Sequence, residues 1–239
     1  MKSIETRSGI DSFRDFSGGI RLASPLLLGY APAGFAFGVL AREAGMTAAE
    51  TAFMSFFVYA GSAQFIAIAQ IAAGAPVAII AATCGIVNLR YMLMSASIAK
   101  RFSLLPVLHK FLFAFYLTDE TFALHSARTE GKTPEENASP AMRSETLGIG
   151  VPAHLTWLVT SMLGFLFGVL LGDVTRYGID FALAGVLIAL LAPRLRDKRQ
   201  AAVALLAGMF SLTFSFLGFD SWSIAAATAA AASIGLLLP

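Results

Sequence analysis

Long stretches with little or no charge fill most of the chain, and polar positions interrupt them at intervals that suit membrane-crossing helices. The apolar segments run over about 22–41, 47–73, 76–99, 104–127, 149–171, 179–193, 201–219 and 221–238. A helix needs about 20 residues to cross a hydrocarbon core roughly 30 Å thick. Several segments meet that length, 179–193 is short for it, and 104–127 is only moderately apolar, since it carries Lys110, Asp119 and Glu120. Strict alternation of apolar and polar residues is absent, which excludes a β-barrel reading. The pattern predicts an all-α, polytopic membrane protein with seven or eight hydrophobic segments.

Punctuation within the segments refines this. Thr47-Ala-Ala-Glu50 matches a capping box and should open the second segment. That segment is long and holds Tyr59-Ala-Gly-Ser-Ala-Gln64 at its centre, where Gly61-Ser62 predicts an unwinding point. Pro32, beside Gly29, Gly34 and Gly38, predicts a kinked or broken first helix. Gly34-Phe-Ala-Phe-Gly-Val-Leu40 is echoed by Gly164-Phe-Leu-Phe-Gly-Val-Leu170, identical at six of seven positions, and Gly178 answers Gly45. Internal repeats with broken or re-entrant segments are a common construction in secondary transporters. The expected organisation is a cytoplasmic tail over 1–21, a first membrane half over 22–127, a hydrophilic loop over 128–148 and a second membrane half over 149–239.

Composition agrees. The 239 residues are 57% hydrophobic and 13% charged, against about 25% charged in soluble domains. No basic patch interleaved with aromatics points to nucleic acid. Cys84 is the one cysteine, so no intramolecular disulfide is possible. Residues 1–21 are polar and mixed in charge, which fits an uncleaved first span rather than a cleavable signal. Arg194-Leu-Arg-Asp-Lys-Arg199 and the N-terminal tail read as cytoplasmic, placing a multi-pass protein in the cell (inner) membrane. Eight full crossings leave Lys100, Arg101 and Lys110 outside. Re-entrant second and fourth segments bring them inside.

Arg90 is the anomaly. It is the only charged residue between Glu50 and Lys100. For a helix beginning near Pro76, it sits roughly 21 Å in, well within the core. A cation at that depth costs about 2.5 kcal/mol or more unless it is paired or hydrated. Arg90 either pairs with an acid such as Asp119 or Glu120, holds a substrate carboxylate, clamps two helices, or snorkels to an interface. Asp119 and Glu120 are adjacent, about 100° apart on a helix, so at most one faces a given cavity. Gln64, Gln70 and Asn88 either bind a zwitterion or join helices by hydrogen bonds. His109, His125 and His154 lack metal-ligand spacing, and no phosphate-binding Gly-Lys-Ser/Thr loop occurs. No metal or cofactor is expected.

At these residues the chain resembles the AzlC family, the large subunit of branched-chain amino acid exporters. The resemblance lies in Gly29-Tyr-Ala-Pro-Ala-Gly-Phe-Ala-Phe-Gly38, Phe57-Val-Tyr-Ala-Gly-Ser-Ala-Gln-Phe65, Val87-Asn-Leu-Arg-Tyr91 and Leu117-Thr-Asp-Glu-Thr-Phe-Ala123. The chain carries Tyr59 where the family more often has Phe, and Tyr91 where His is frequent. The resemblance implies a non-enzymatic transporter that exports valine, leucine, isoleucine or similar amino acids, with a small AzlD-type membrane partner. In that frame Arg90, or a broken-helix N-terminus at Gly61-Ser62, would meet the substrate carboxylate. Asp119 or Glu120 would meet its ammonium or a coupling proton. Gln64 and Asn88 would set orientation, and Phe57, Phe65 and Met94 would line the aliphatic side chain. The rival readings are an intramembrane enzyme acting on lipid, which lacks a nucleophile–base motif here, and a membrane scaffold or sensor whose charges are structural.

Overall fold

A computed structural model describes residues 9–168, 188, 195, 198–218 and 223–235. The segment 179–193 apart from Ile188, together with Leu170, Gly178, Asp220 and Arg194, Arg196 and Asp197 of the basic stretch, falls outside the described residues. Among the described residues all regular structure is helical: α1 (Gly9–Glu43), α2 (Ala48–Phe53), α3 (Gly61–Ala72), α4 (Val77–Ala99), α5 (Val107–Phe115), α6 (Asp119–Thr129), α7 (Pro134–Asn137), α8 (Pro140–Phe167), α9 (Lys198–Phe216) and α10 (Ser223–Gly235). Four stretches among them are long and apolar enough to cross a membrane: Gly9–Glu43, Val77–Phe102, Pro140–Phe167 and Lys198–Phe216. Leu89, Met92 and Leu93 on α4, and Leu205, Met209, Leu212 and Phe216 on α9, are exposed. Such apolar surface is stable in lipid and unusual in water. The molecule is an all-α polytopic membrane protein.

Local chemistry explains where helices start, continue and stop. Thr47 and Glu50 form the expected capping box: the Glu50 backbone N–H donates to the Thr47 hydroxyl, and the Thr47 N–H donates to the Glu50 carboxylate. α1 is continuous through Pro25 and Pro32, where the sequence predicted a kink or break. Pro25 cannot donate to the Arg21 carbonyl four residues back. The Ser24 hydroxyl donates to it instead, at 2.8 Å. Polar side chains commonly satisfy freed carbonyls in this way within membrane helices. The helix already includes Gly9, so residues 9–21 are helical and continuous with the first span. Likewise the last part of the hydrophilic stretch 128–148 forms the first turns of α8.

The second segment is broken, two residues before the expected point. After α2 a single π turn runs Met54–Val58, Tyr59 takes a left-handed conformation (φ 39°), and α3 starts at Gly61. A non-glycine residue held there stores about 1–3 kcal/mol of strain. The fourth segment is broken too, between Phe115 and Asp119.

Contacts divide the chain into two units: Met1–Gly34 with Arg90–Thr160, and Phe35–Leu89 with Ser161–Pro239. In the first, Ile98, Phe102, Leu105 and Met142 form an apolar core with Phe113, Phe122 and Ala138 against it. Its polar end is tied by charge and amide. Arg128 grips Glu145 through two hydrogen bonds of 2.8 and 2.7 Å, which raise the guanidinium's already high pKa. Arg101 donates to the Ser126 carbonyl and the Thr129 hydroxyl, and Asn137 donates to the Arg101 carbonyl.

In the second unit the echoed motif packs against itself. A Cβ on Gly38 would overlap the Ser161 carbonyl oxygen, and one on Gly164 would overlap that of Phe35. Val39 lies against Gly168. These contacts advance together along both chains, so α1 and α8 run parallel with the two copies in register. Parallel spans require an odd number of crossings between them, which either topology considered above supplies. Arg42 donates to the Phe165 carbonyl at 3.2 Å and lies over the Phe165 ring. Further along, α9 and α10 pair, and Arg199 donates twice to the Gly235 carbonyl, where the helix C-terminus is negative.

Candidate functional site

The predicted residues divide between the units. Arg90, Met94, Asp119 and Glu120 belong to the first. Phe57, Gly61, Ser62, Gln64, Phe65 and Asn88 belong to the second.

In the first unit the two acids open α6, whose N-cap is Thr118. The Thr121 backbone N–H donates to the Thr118 hydroxyl, while the Thr118 N–H donates to the Thr121 hydroxyl, and that hydroxyl in turn donates to the Tyr116 carbonyl. Carboxylates in a helix's first turn are favoured by its positive end. Their directions differ, as adjacent helical positions require. Asp119 Oδ2 lies 2.7 Å from Arg90 Nη1, while Glu120 Oε2 accepts a 2.7 Å hydrogen bond from the Tyr30 hydroxyl. Arg90 also donates to the Tyr91 hydroxyl and lies over its ring. Its charge is therefore answered by an acid of the same unit, the first of the alternatives that the sequence left open.

Tyr30 is a member of this cluster that residue-by-residue reasoning missed. Its hydroxyl meets Glu120 and, also at 2.7 Å, Thr118 Oγ1. Its one proton goes to the carboxylate, so Thr118 donates to Tyr30. The ring stands edge-on to Trp157 at 5.6 Å. A tyrosine inside an apolar span was the available signal, since a buried phenol needs a partner. His154, buried against Phe115 and Tyr116, is a further polar neighbour of the break between α5 and α6. Tyr30→Phe should keep the ring packing and lose both hydrogen bonds. A hydrogen bond to a charged group is worth about 1.5–3 kcal/mol. The melting temperature in detergent should drop by several degrees, at roughly 2–4 °C per kcal/mol for this length. An unchanged value would remove Tyr30 from the cluster's energetics.

In the second unit Gln64 is fully buried, and its Oε1 accepts a 3.2 Å hydrogen bond from the Ala60 N–H. Nε2 has no hydrogen-bond partner among the described residues. Gln70 Nε2 donates to the Thr83 hydroxyl across the α3–α4 hairpin at 3.2 Å, and the Cys84 thiol points at the Ala63 carbonyl. Phe65 is buried edge-on to Phe37. Phe57 is exposed and stacks on Phe53. Asn88 and Met94 are half-buried. A cavity of about 260 Å³ in the first unit is lined by Ile98, Phe102, Leu105, Phe113 and Lys110 among others, and by none of the predicted binding residues.

Comparison with known proteins agrees with the membrane architecture. Residues 25–171 match the family described as AzlC protein. An uncharacterized membrane protein of Archaeoglobus fulgidus is 30% identical over 217 residues, covering 90% of this chain and 91% of the relative. The inner membrane protein YgaZ of Escherichia coli K12 is 29% identical over 84% of this chain and 85% of its own length. An uncharacterized membrane protein of Helicobacter pylori is 32% identical over 69% of each chain. No solved structure matches.

Proposed function

This chain belongs to the AzlC family of membrane proteins, and on that premise we propose that it exports branched-chain and similar aliphatic amino acids by secondary active transport. A small AzlD-type membrane subunit is its proposed partner, and the cell (inner) membrane, with the N-terminus cytoplasmic, its proposed setting. The observation that carries the reading is the ion pair between Arg90 and Asp119 at 2.7 Å, beside a second carboxylate held by Tyr30. Ionisable residues inside membrane segments are costly and mark substrate or ion pathways. A pair of this kind has two stable arrangements, closed on itself or opened by a competing charge. The ammonium of an amino acid competes with Arg90 for Asp119. A proton on Glu120 abolishes its charge and frees the Tyr30 hydroxyl to donate elsewhere. Either event couples solute or proton to rearrangement of α6 against α1 and α4.

The test is counterflow of labelled leucine into proteoliposomes holding the full chain and its partner. The expected result is uptake driven by internal unlabelled leucine, lost in Asp119→Asn. Absence of flux for every aliphatic amino acid with the intact pair of subunits would overturn the reading.

A further inference from the structure

We propose that the N-terminus of α3, completed by the Gln64 side-chain amide, binds the carboxylate of the transported solute. The proposal rests on the exporter reading and places the solute's carboxylate within the second unit.

The break that exposes this end is built into the backbone. The π turn and left-handed Tyr59 stop α2 in mid-segment, and α3 restarts as a helix of 12 residues. π turns inside helices often sit at functional positions. The first N–H groups of any helix lack intrahelical acceptors, and together they carry a partial positive charge that attracts anions. Ordinarily a Ser, Thr, Asp or Asn side chain caps them. Here the N-cap is Ala60, which makes no side-chain cap.

Gln64 supplies the second observation. Its side chain is wholly buried. The Ala60 N–H is a donor, so it must face the amide oxygen and not the NH₂ group. That fixes the amide's orientation. Nε2, bonded to the same carbon as Oε1, is thereby held at the same broken end, as a donor with no hydrogen-bond partner among the described residues. Buried amide donors are nearly always paired. An acceptor that meets both Nε2 and the Gly61 and Ala63 N–H groups at the start of α3 answers two needs at once.

The surroundings select the kind of acceptor. No charged residue occurs between Glu50 and Arg90, so this segment itself offers dipoles and an amide but no full positive charge. Such a site suits a single carboxylate better than a phosphate or a dicarboxylate. Weak, dipolar capture also suits a transporter, which must release what it binds. Ala63, Phe65, Ala67 and Ile68 are buried along α3, an apolar setting that fits a carboxylate borne on an aliphatic body.

The test compares leucine, 4-methylpentanoate (the carboxylate without the ammonium) and leucinol (a hydroxymethyl group in place of the carboxylate). Each is assayed for thermal stabilisation of the purified full chain. Each is also assayed as a competitor of labelled leucine counterflow in proteoliposomes with the partner subunit. Both acids should stabilise and compete, and leucinol should do neither at matched concentration. Gln64→Glu places a carboxylate where the solute's would sit. Its unliganded melting temperature should hold or rise, while its apparent affinity for both acids falls about tenfold or more, the loss expected for a charge-assisted hydrogen bond. Leucinol competing as well as leucine would overturn the assignment, as would Gln64→Glu binding the acids like the wild type. The leucinol comparison uses the wild type alone, so it decides the matter even if the variant does not fold. Stabilisation by acids without leucine flux would sink the exporter reading and leave the site standing. Flux that ignores the carboxylate would do the reverse.

Discussion

Asp119→Ala is expected to damage the protein more than Arg90→Ala, although the two side chains share one ion pair. Removing Arg90 leaves a carboxylate that can take up a proton and become neutral. Removing Asp119 leaves a guanidinium that stays charged under all accessible conditions, in the middle of a helix uncharged from Val77 to Leu89. Truncating one partner of a fully buried pair costs about 3–5 kcal/mol, mostly through the charge left behind, and the part-exposed side chains of this pair make that an upper bound. For Asp119→Ala this predicts a melting temperature lower by up to roughly 20 °C in detergent, or failure to accumulate. The double variant Arg90→Ala/Asp119→Ala should recover most of that stability, since neither charge remains. Thermal unfolding of the three variants gives the coupling. Losses that simply add would show that the 2.7 Å contact carries little energy. Leucine counterflow then separates clamp from pathway: a stable but inactive double variant places the pair in transport, and an active one makes it a clamp.

The second large effect is expected at the self-packed motif. A side chain on Gly38 or Gly164 meets backbone, which has no rotamer to move away, so α1 and α8 must separate. Gly164→Val is expected to cost about 1–3 kcal/mol or more, the usual range for overpacking, and Gly38→Val the same. Because one separation of the helices relieves both overlaps, the double variant should cost clearly less than the sum. Gly85→Ala is the control: a Cβ there meets nothing within 4 Å among the described residues, so helix propensity alone should leave stability unchanged or slightly raised. Equal melting temperatures for Gly164→Val and Gly85→Ala would refute the close approach.

Much of this was legible in the linear chain, for identifiable reasons. Apolar run length and the scarcity of charge determined the class, because the transfer of a helix into lipid sums over its own residues. The capping box at Thr47 and Glu50 was readable because its partners are three residues apart. The break in the second segment was placed to within two residues by Gly61, Ser62 and Gln64. Pro32, by contrast, predicted a kinked or broken helix, and α1 runs through it without a break, since a proline can be accommodated wherever its surroundings allow.

The cluster around the acids was only half legible. That Arg90 needs an answering group followed from the energy of an isolated charge in hydrocarbon, and Asp119 and Glu120 were the natural candidates. Which acid takes Arg90, and that Tyr30 holds the other, depends on contacts between residues far apart in sequence: Tyr30 and Glu120 are separated by 90 positions. No local pattern encodes such a pairing. It follows from how α1, α4 and α6 pack, and a difference of about 100° between adjacent helical positions turns one carboxylate to Arg90 and the next to Tyr30. The sequence by itself determined that this is a helical membrane protein with charges that need partners. The tertiary structure decided who those partners are, because hydrogen bonds and ion pairs act over about 3 Å, and only packing brings distant residues that close.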